Sequence, residues 1–195
     1  MSRTNYVFVD FENVHETDWD RVAGKPVHVT LVLGEQNKYF PISMVKQMLK
    51  CAAQVSLVES KKAGKNSADF ILAKLIGERN ASDPHGYFHI VSKDKGFDAL
   101  IDHLKGEKIL AARRRSFSDI PVLMNLEERV TCFESFLKQK VTGLPGKLAR
   151  LQSQIQVNFG KALTADEVDA IVSELKKRSV IAVNDQGKVT YPGRT

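Results

Sequence analysis

The chain has 195 residues, 43% hydrophobic and 27% charged, with a formal net charge of +6 and an isoelectric point near 9.3. These values exclude a disordered chain, and no apolar run approaches the roughly 18 residues that a membrane span needs. The length suits one full core plus a smaller appendage, and the positive balance favours a polyanionic partner without identifying one.

Residues 1–4 lead directly into a short apolar strand without the longer apolar region and cleavage site of a secretory signal, so a cytoplasmic location is expected. From there to about residue 112, β-branched runs alternate with helix-like stretches, the pattern of a parallel sheet covered on both faces. The pattern predicts strands over 6–10, 27–33, 54–59, 87–92 and 108–112, and helices over 42–53, 67–79 and 95–105. In the second of these helices Phe70, Ile71, Ala73, Leu75 and Ile76 supply the apolar residues. Right-handed crossovers of this length make a three-layer α/β sandwich the economical topology.

Residues 113–119 then read as a turn, and Leu123, Leu126, Val130, Phe133 and Leu137 predict a helix over 121–140 that closes the first domain, residues 1–141. Two glycines and a proline make 142–146 a linker. The remainder, 147–195, predicts helices over 147–157 and 165–178, the latter with a capping box at Thr164 and Glu167, then strands over 180–183 and 188–191 around a turn. This is a small α+β, winged-helix-like module. Cys51 and Cys132 stand apart from any Cys/His cluster and read as two separately buried thiols.

Polar residues recur where buried strands end or helices begin. Asp10 closes the first strand and Asn13 follows within reach of it; Asp69 opens the second helix; Asp94 and Asp98 follow the fourth strand, after Ser92. In parallel α/β sheets ligands collect beyond the carboxyl ends of the strands. Each acid taken singly also suits a local cap or turn, but three βα junctions that each present an Asp suggest convergence on one cation. Oxygen donors without His or Cys suit Mg²⁺ or Mn²⁺ rather than zinc.

Asp10 with Asn13, then Asp69, then Asp94 and Asp98 with the preceding Ser92, resemble the acidic signature of PIN-like nucleases, especially the NYN-like branch, over about residues 5–140. The resemblance implies a parallel sheet with helices on both sides and a pocket for one or two Mg²⁺ or Mn²⁺ ions, in which Asp10, Asp69, Asp94 and Asp98 bind metal. Asn13 would orient an acid or the scissile phosphate, and Ser92 would support the ligands from behind. The implied activity is endonucleolytic hydrolysis of RNA, more than of DNA, by a metal-activated water. Relatives of this kind often pair, which makes a homodimer one implied assembly. Glu12 and Lys93 add charges beside the motif, which leaves a one-metal site open.

An acidic pocket repels the polyanion it must bind, so cations are expected around it. Lys61, Lys62 and Lys65 precede the Asp69 helix, Lys93 and Lys95 flank Asp94, and Arg113, Arg114 and Arg115 are expected just past the fifth strand. Tyr39 and Phe117 are loop aromatics of a kind that stack on bases. Of the five histidines only His15 is expected near this rim. The competing readings are a catalytically inactive RNA-binding or scaffolding protein and a nucleotide-sensing regulatory domain; a Gly-x-Gly-x-x-Gly turn, which the latter would favour, does not follow the first strand. The C-terminal module is expected to contact nucleic acid or a protein partner.

Overall fold

The computed structural model describes residues 3–15, 17–60, 64, 66–140 and 142–193. The chain divides into two compact units, Arg3–Leu123 and Met124–Thr195.

The first unit is a five-stranded sheet built from β1 (Asn5–Asp10), β2 (Val27–Leu33), β3 (Val55–Glu59), β4 (Tyr87–Val91) and β5 (Ala111–Arg114), in the order β3-β2-β1-β4-β5. Every pairing is parallel. Alternation of side chains divides β1 between two cores. Val7 and Val9 join Val29, Leu31, Leu33, Val91, Trp19 and Phe117 on one face, to which α1 (Ile42–Leu49) adds Met44 and Met48. Phe8 joins Val32, Phe88 and Ile90 on the other, under α2 (Ser67–Ser82) and α3 (Phe97–Gly106). The result is the three-layer α/β sandwich the alternating pattern predicts.

The stripe that α2 buries is Ala68, Leu72 and Ile76, while Phe70 is 71% exposed. A four-residue step thus chooses the face over simple hydrophobicity. The strand order reverses between β1 and β4, both next to each other at the sheet centre. That reversal opens a crevice at their carboxyl ends, the place where doubly wound sheets bind ligands.

β5 begins three residues later than the predicted strand. Lys108 takes a left-handed conformation at φ 64°, and the Ile109 N–H donates to the Leu104 carbonyl at 2.9 Å, so 108–110 finish the helix rather than open the strand. Arg113 and Arg114 consequently lie within β5, and only Arg115 of the three follows it.

The second unit holds α4 (Leu126–Gln139), α5 (Leu148–Asn158), α6 (Ala165–Lys177) and an antiparallel pair, β6 (Ala182–Val183) and β7 (Val189–Thr190). Lys147, just before α5, bridges antiparallel to Lys188. Capping boxes start α4 at Asn125 and Glu128 and α6 at Thr164 and Glu167. Val130, Phe133 and Leu137 of α4 pack with Leu151, Ile155, Ile171 and Leu175. The structure therefore assigns α4 to the second unit, where the sequence reading gives the 121–140 helix to the first. Its apolar stripe reveals that it needs a core but not which one, and the boundary falls at Leu123/Met124 instead of the 142–146 linker.

Candidate metal centre

The carboxyl end of β1 supplies the fixed point. Asp10 is 1% exposed. Its Oδ2 accepts hydrogen bonds from Ser92 Oγ and Asn13 Nδ2, each at 2.7 Å. Its Oδ1 is buried and has no hydrogen-bond partner among the described residues. A buried carboxylate oxygen without a donor costs free energy, so its retention points to a partner outside the chain.

Local chain geometry accounts for both donors. The Asn13 and Val14 N–H groups donate back to the Asp10 carbonyl at 3.1 and 3.0 Å, a tight turn that returns Asn13 to its acid. Ser92 follows β4, adjacent to β1, and is fully buried. Its Oγ donates to Asp10 and accepts from the Asp94 N–H at 3.0 Å, which ties the loop after β4 to the same carboxylate. Asp94 is exposed; its Oδ1 accepts from the Gly96 N–H at 2.7 Å.

Asp69 stands in the first turn of α2 and is half-buried. Burial, then the negative charges of Asp10, Asp94 and Glu12, push its carboxyl above the usual range. Those causes place the four acids in one electrostatic neighbourhood. Glu12 reaches it by folding over Gly34, the residue that follows β2. A Cβ on Gly34 would lie 1.7 Å from Glu12 Oε1 and 2.0 Å from its Cδ, so the bare backbone of this glycine accommodates the acid.

Asp98 takes another partner. Arg113 grips it with two hydrogen bonds, Nε to Oδ1 at 2.6 Å and a terminal nitrogen to Oδ2 at 3.1 Å, and donates to the Ser92 carbonyl at 3.2 Å. The Arg113 guanidinium is the chief cause that holds Asp98 below the ordinary carboxylate range. The later start of β5 explains this pairing, since it sets Arg113 opposite Ile90, on the sheet face that α3 covers. Asp94, moreover, precedes α3, which begins at Phe97. The four-residue spacing of Asp94 and Asp98 is therefore not a helical one, and the two acids do not share a helix face.

The cations are distributed less simply than the sequence suggests. Lys93 and Lys95 are exposed beside Asp94. Arg113 is engaged with Asp98, Arg114 is half-buried in β5, and Arg115 is exposed beyond it. Lys61, Lys62 and Lys65 lie outside the described residues.

Asp10, Asp69, Asp94 and Glu12 offer oxygen donors alone, one of them an orphaned buried oxygen, in a like-charged setting. This set fits a hard divalent cation. Among the described residues no three acidic, His or Cys side chains are drawn together to metal-ligand geometry. Asp10 is buried and fixed by two hydrogen bonds, whereas Asp94 and Glu12 are exposed. Sequence reasoning treats Glu12 only as an added charge; the one signal for its place is the glycine at the end of β2.

Among known protein families, the PIN domain matches residues 4–114, from the threshold of β1 to the last residue of β5. No curated protein and no solved structure gives a significant match. Among the described residues no helix is long and apolar enough to cross a membrane.

Proposed function

We propose, proceeding from the premise that this chain belongs to the PIN domain family, that its first unit is a Mg²⁺- or Mn²⁺-dependent endoribonuclease. PIN domains are generally nucleases and typically use divalent metal ions. The observation that carries the finer reading is the buried, unpartnered Oδ1 of Asp10 beside three further acids.

A bound divalent ion supplies Lewis-acid stabilisation at phosphorus and lowers the pKa of the attacking water. The chain supplies position. Ser92 and Asn13 hold Oδ2 of Asp10 so that Oδ1 has a fixed direction. Asp69, Asp94 and Glu12 complete the oxygen donors; Asp69, whose pKa is raised by burial and then by its acidic neighbours, serves as one in its ionised form. Lys93 and Lys95 offset the field of the acids where the backbone phosphates approach. Asp98, neutralised by Arg113, braces the loop after β4 and acts through position alone.

In the second unit, a helix, a bridging residue at Lys147, two further helices and a hairpin follow the order of a winged helix. Much of the positive charge at the end of α6 is answered within the unit, Arg178 by Glu127, Glu134 and Glu174 and Lys177 by Glu174, while Lys176 is exposed. A protein partner suits this surface better than a phosphate backbone.

A second reading, an RNA-binding scaffold without catalysis, draws on the acids standing short of ligand geometry. Cleavage of end-labelled RNA in Mn²⁺ by the parent, Asp10→Asn and Asp94→Asn separates the two. The nuclease reading expects cleavage by the parent alone, with a DNA strand of the same sequence cut more slowly. Binding without cleavage by all three supports the scaffold, and equal cleavage by all three overturns the assignment of the site.

A further inference from the structure

A second feature of the first unit lies at the same end of the sheet, built from three of its βα connections. It is a cavity of about 440 Å³, within the roughly 300–1,000 Å³ of small-molecule pockets. Its walls come from the segment after β1, with His15, Thr17, Asp18 and Arg21, from α1, with Met44 and Gln47, and from the turn after β5, with Ser116, Phe117 and Ser118. We infer that this cavity is a base-binding subsite for a nucleotide beside the one whose phosphate meets the acids. This rests on the nuclease reading above and deepens it.

Two links tie the cavity to the acidic crevice. The Val14 N–H contacts the Asp10 carbonyl at 3.0 Å, and His15, in the cavity wall, is the next residue. The Ser92 N–H donates to the Arg114 carbonyl at 2.9 Å, and Ser116 lies two residues beyond. A strand laid across the carboxyl ends of β1 and β4 would meet both. The acids occupy the side under α2 and the cavity the side of α1.

The chemistry of the lining selects the base over the phosphate. Arg21 Nε is 2.7 Å from Asp18 Oδ2, so the cation and the anion of the wall neutralise each other. What remains is apolar surface, chiefly the half-buried Met44 since the Phe117 ring is only 2% exposed, and groups that both donate and accept: the Gln47 amide, the Thr17 hydroxyl and the Ser116 and Ser118 hydroxyls, which share a 2.7 Å hydrogen bond. A nucleobase presents the matching surface, two apolar faces and an edge of donors and acceptors.

The test measures binding rather than cleavage, with the full chain carrying Asp10→Asn so that the strand survives. Six-nucleotide RNA homopolymers of each base and an abasic hexamer are titrated by fluorescence anisotropy. The subsite predicts that the best base-bearing hexamer binds about tenfold or more tightly than the abasic one. Gln47→Leu, which keeps the volume and removes the amide, and Ser116→Phe, which fills the space, should reduce that difference below about threefold with abasic binding unchanged. An abasic hexamer that binds as tightly as every base-bearing one overturns the subsite, as does an undiminished preference in both variants. Base-dependent binding by a parent that never cleaves supports the subsite and sinks only the nuclease reading. Absence of binding to any hexamer overturns both.

Discussion

Arg129 of the second unit donates to Glu167 at 2.8 Å, and Arg178 is shared by Glu127, Glu134 and Glu174; at the rim of the first unit, Asp69 has Asp10, Asp94 and Glu12 as its charged neighbours. In the second unit both of these arginines are answered by acids. At the rim of the first unit, acid stands beside acid, and an oxygen of the most buried one has no donor among the described residues. Charge that finds its counter-ion inside the fold can be explained by stability, whereas charge that does not needs a ligand to explain it.

The largest effect should come from the unanswered side. Asp10→Asn is expected to lower metal-dependent RNA cleavage by more than about a hundredfold, as measured in single-turnover assays with labelled RNA. The fold should persist, since the amide keeps an oxygen for Ser92 and Asn13. Cleavage within a few-fold of the parent would erase the contrast between the two regions.

The answered side should respond in stability. Arg129 is almost wholly buried, with 5% of its side chain exposed, while Glu167 is 33% exposed. Burial pushes the Glu167 carboxyl up, but the Thr164 backbone N–H and Arg129 together hold it below its ordinary value. Arg129→Ala is expected to destabilise the second unit by about 2–3 kcal/mol, less than for a fully buried pair because water reaches Glu167. Amide exchange of α4 and α6 checks this. Protection unchanged from the parent would show that the pair is idle.

The first unit also buries an imidazole. His89 is 1% exposed, its Nε2 meets Asn5 Oδ1 at 2.9 Å, and it stacks on Tyr87. Burial first, then the charge of Arg114, lowers its pKa well below 6.5. The unfolded chain therefore binds a proton that the folded one refuses. Stability of the first unit should rise with pH up to about 6.5 and level off above it, with a slope of at most about 1.4 kcal/mol per pH unit from this one group. Denaturation followed by Trp19 fluorescence between pH 5 and pH 7 measures it, and His89→Gln should flatten the slope. An equal slope in that variant would assign the effect to other groups.

Asp98 should give the smallest effect, because Arg113 already answers it. Asp98→Asn is expected to leave cleavage within about threefold of the parent, where Asp94→Asn is expected to lower it by about tenfold or more. If Asp98→Asn were as damaging as Asp94→Asn, Asp98 would belong with the unpaired acids.

What the sequence makes legible follows from how local the determinants are. The β-branched runs and the helical steps between them define the layers, and the parallel rule puts Asp10 and Ser92 at one end of neighbouring strands. Asp98 is harder to read, because its partner depends on where β5 starts. That start is set by a left-handed Lys108 that no glycine announces. Glu12 depends on an approach to Gly34 across 22 residues, for which spacing carries no signal. The allegiance of α4 is hidden for a related reason: Val130, Phe133 and Leu137 specify an apolar stripe, and only the fold decides which core receives it.

On the proposed reading the rim acids hold a divalent cation through Asp10. Titration calorimetry of the full chain with Mn²⁺ tests it without reference to substrate. The parent should bind the ion, and Asp10→Asn should bind it at least about tenfold more weakly. A parent that takes up no Mn²⁺, or an Asp10→Asn variant that binds it as tightly, would contradict the account.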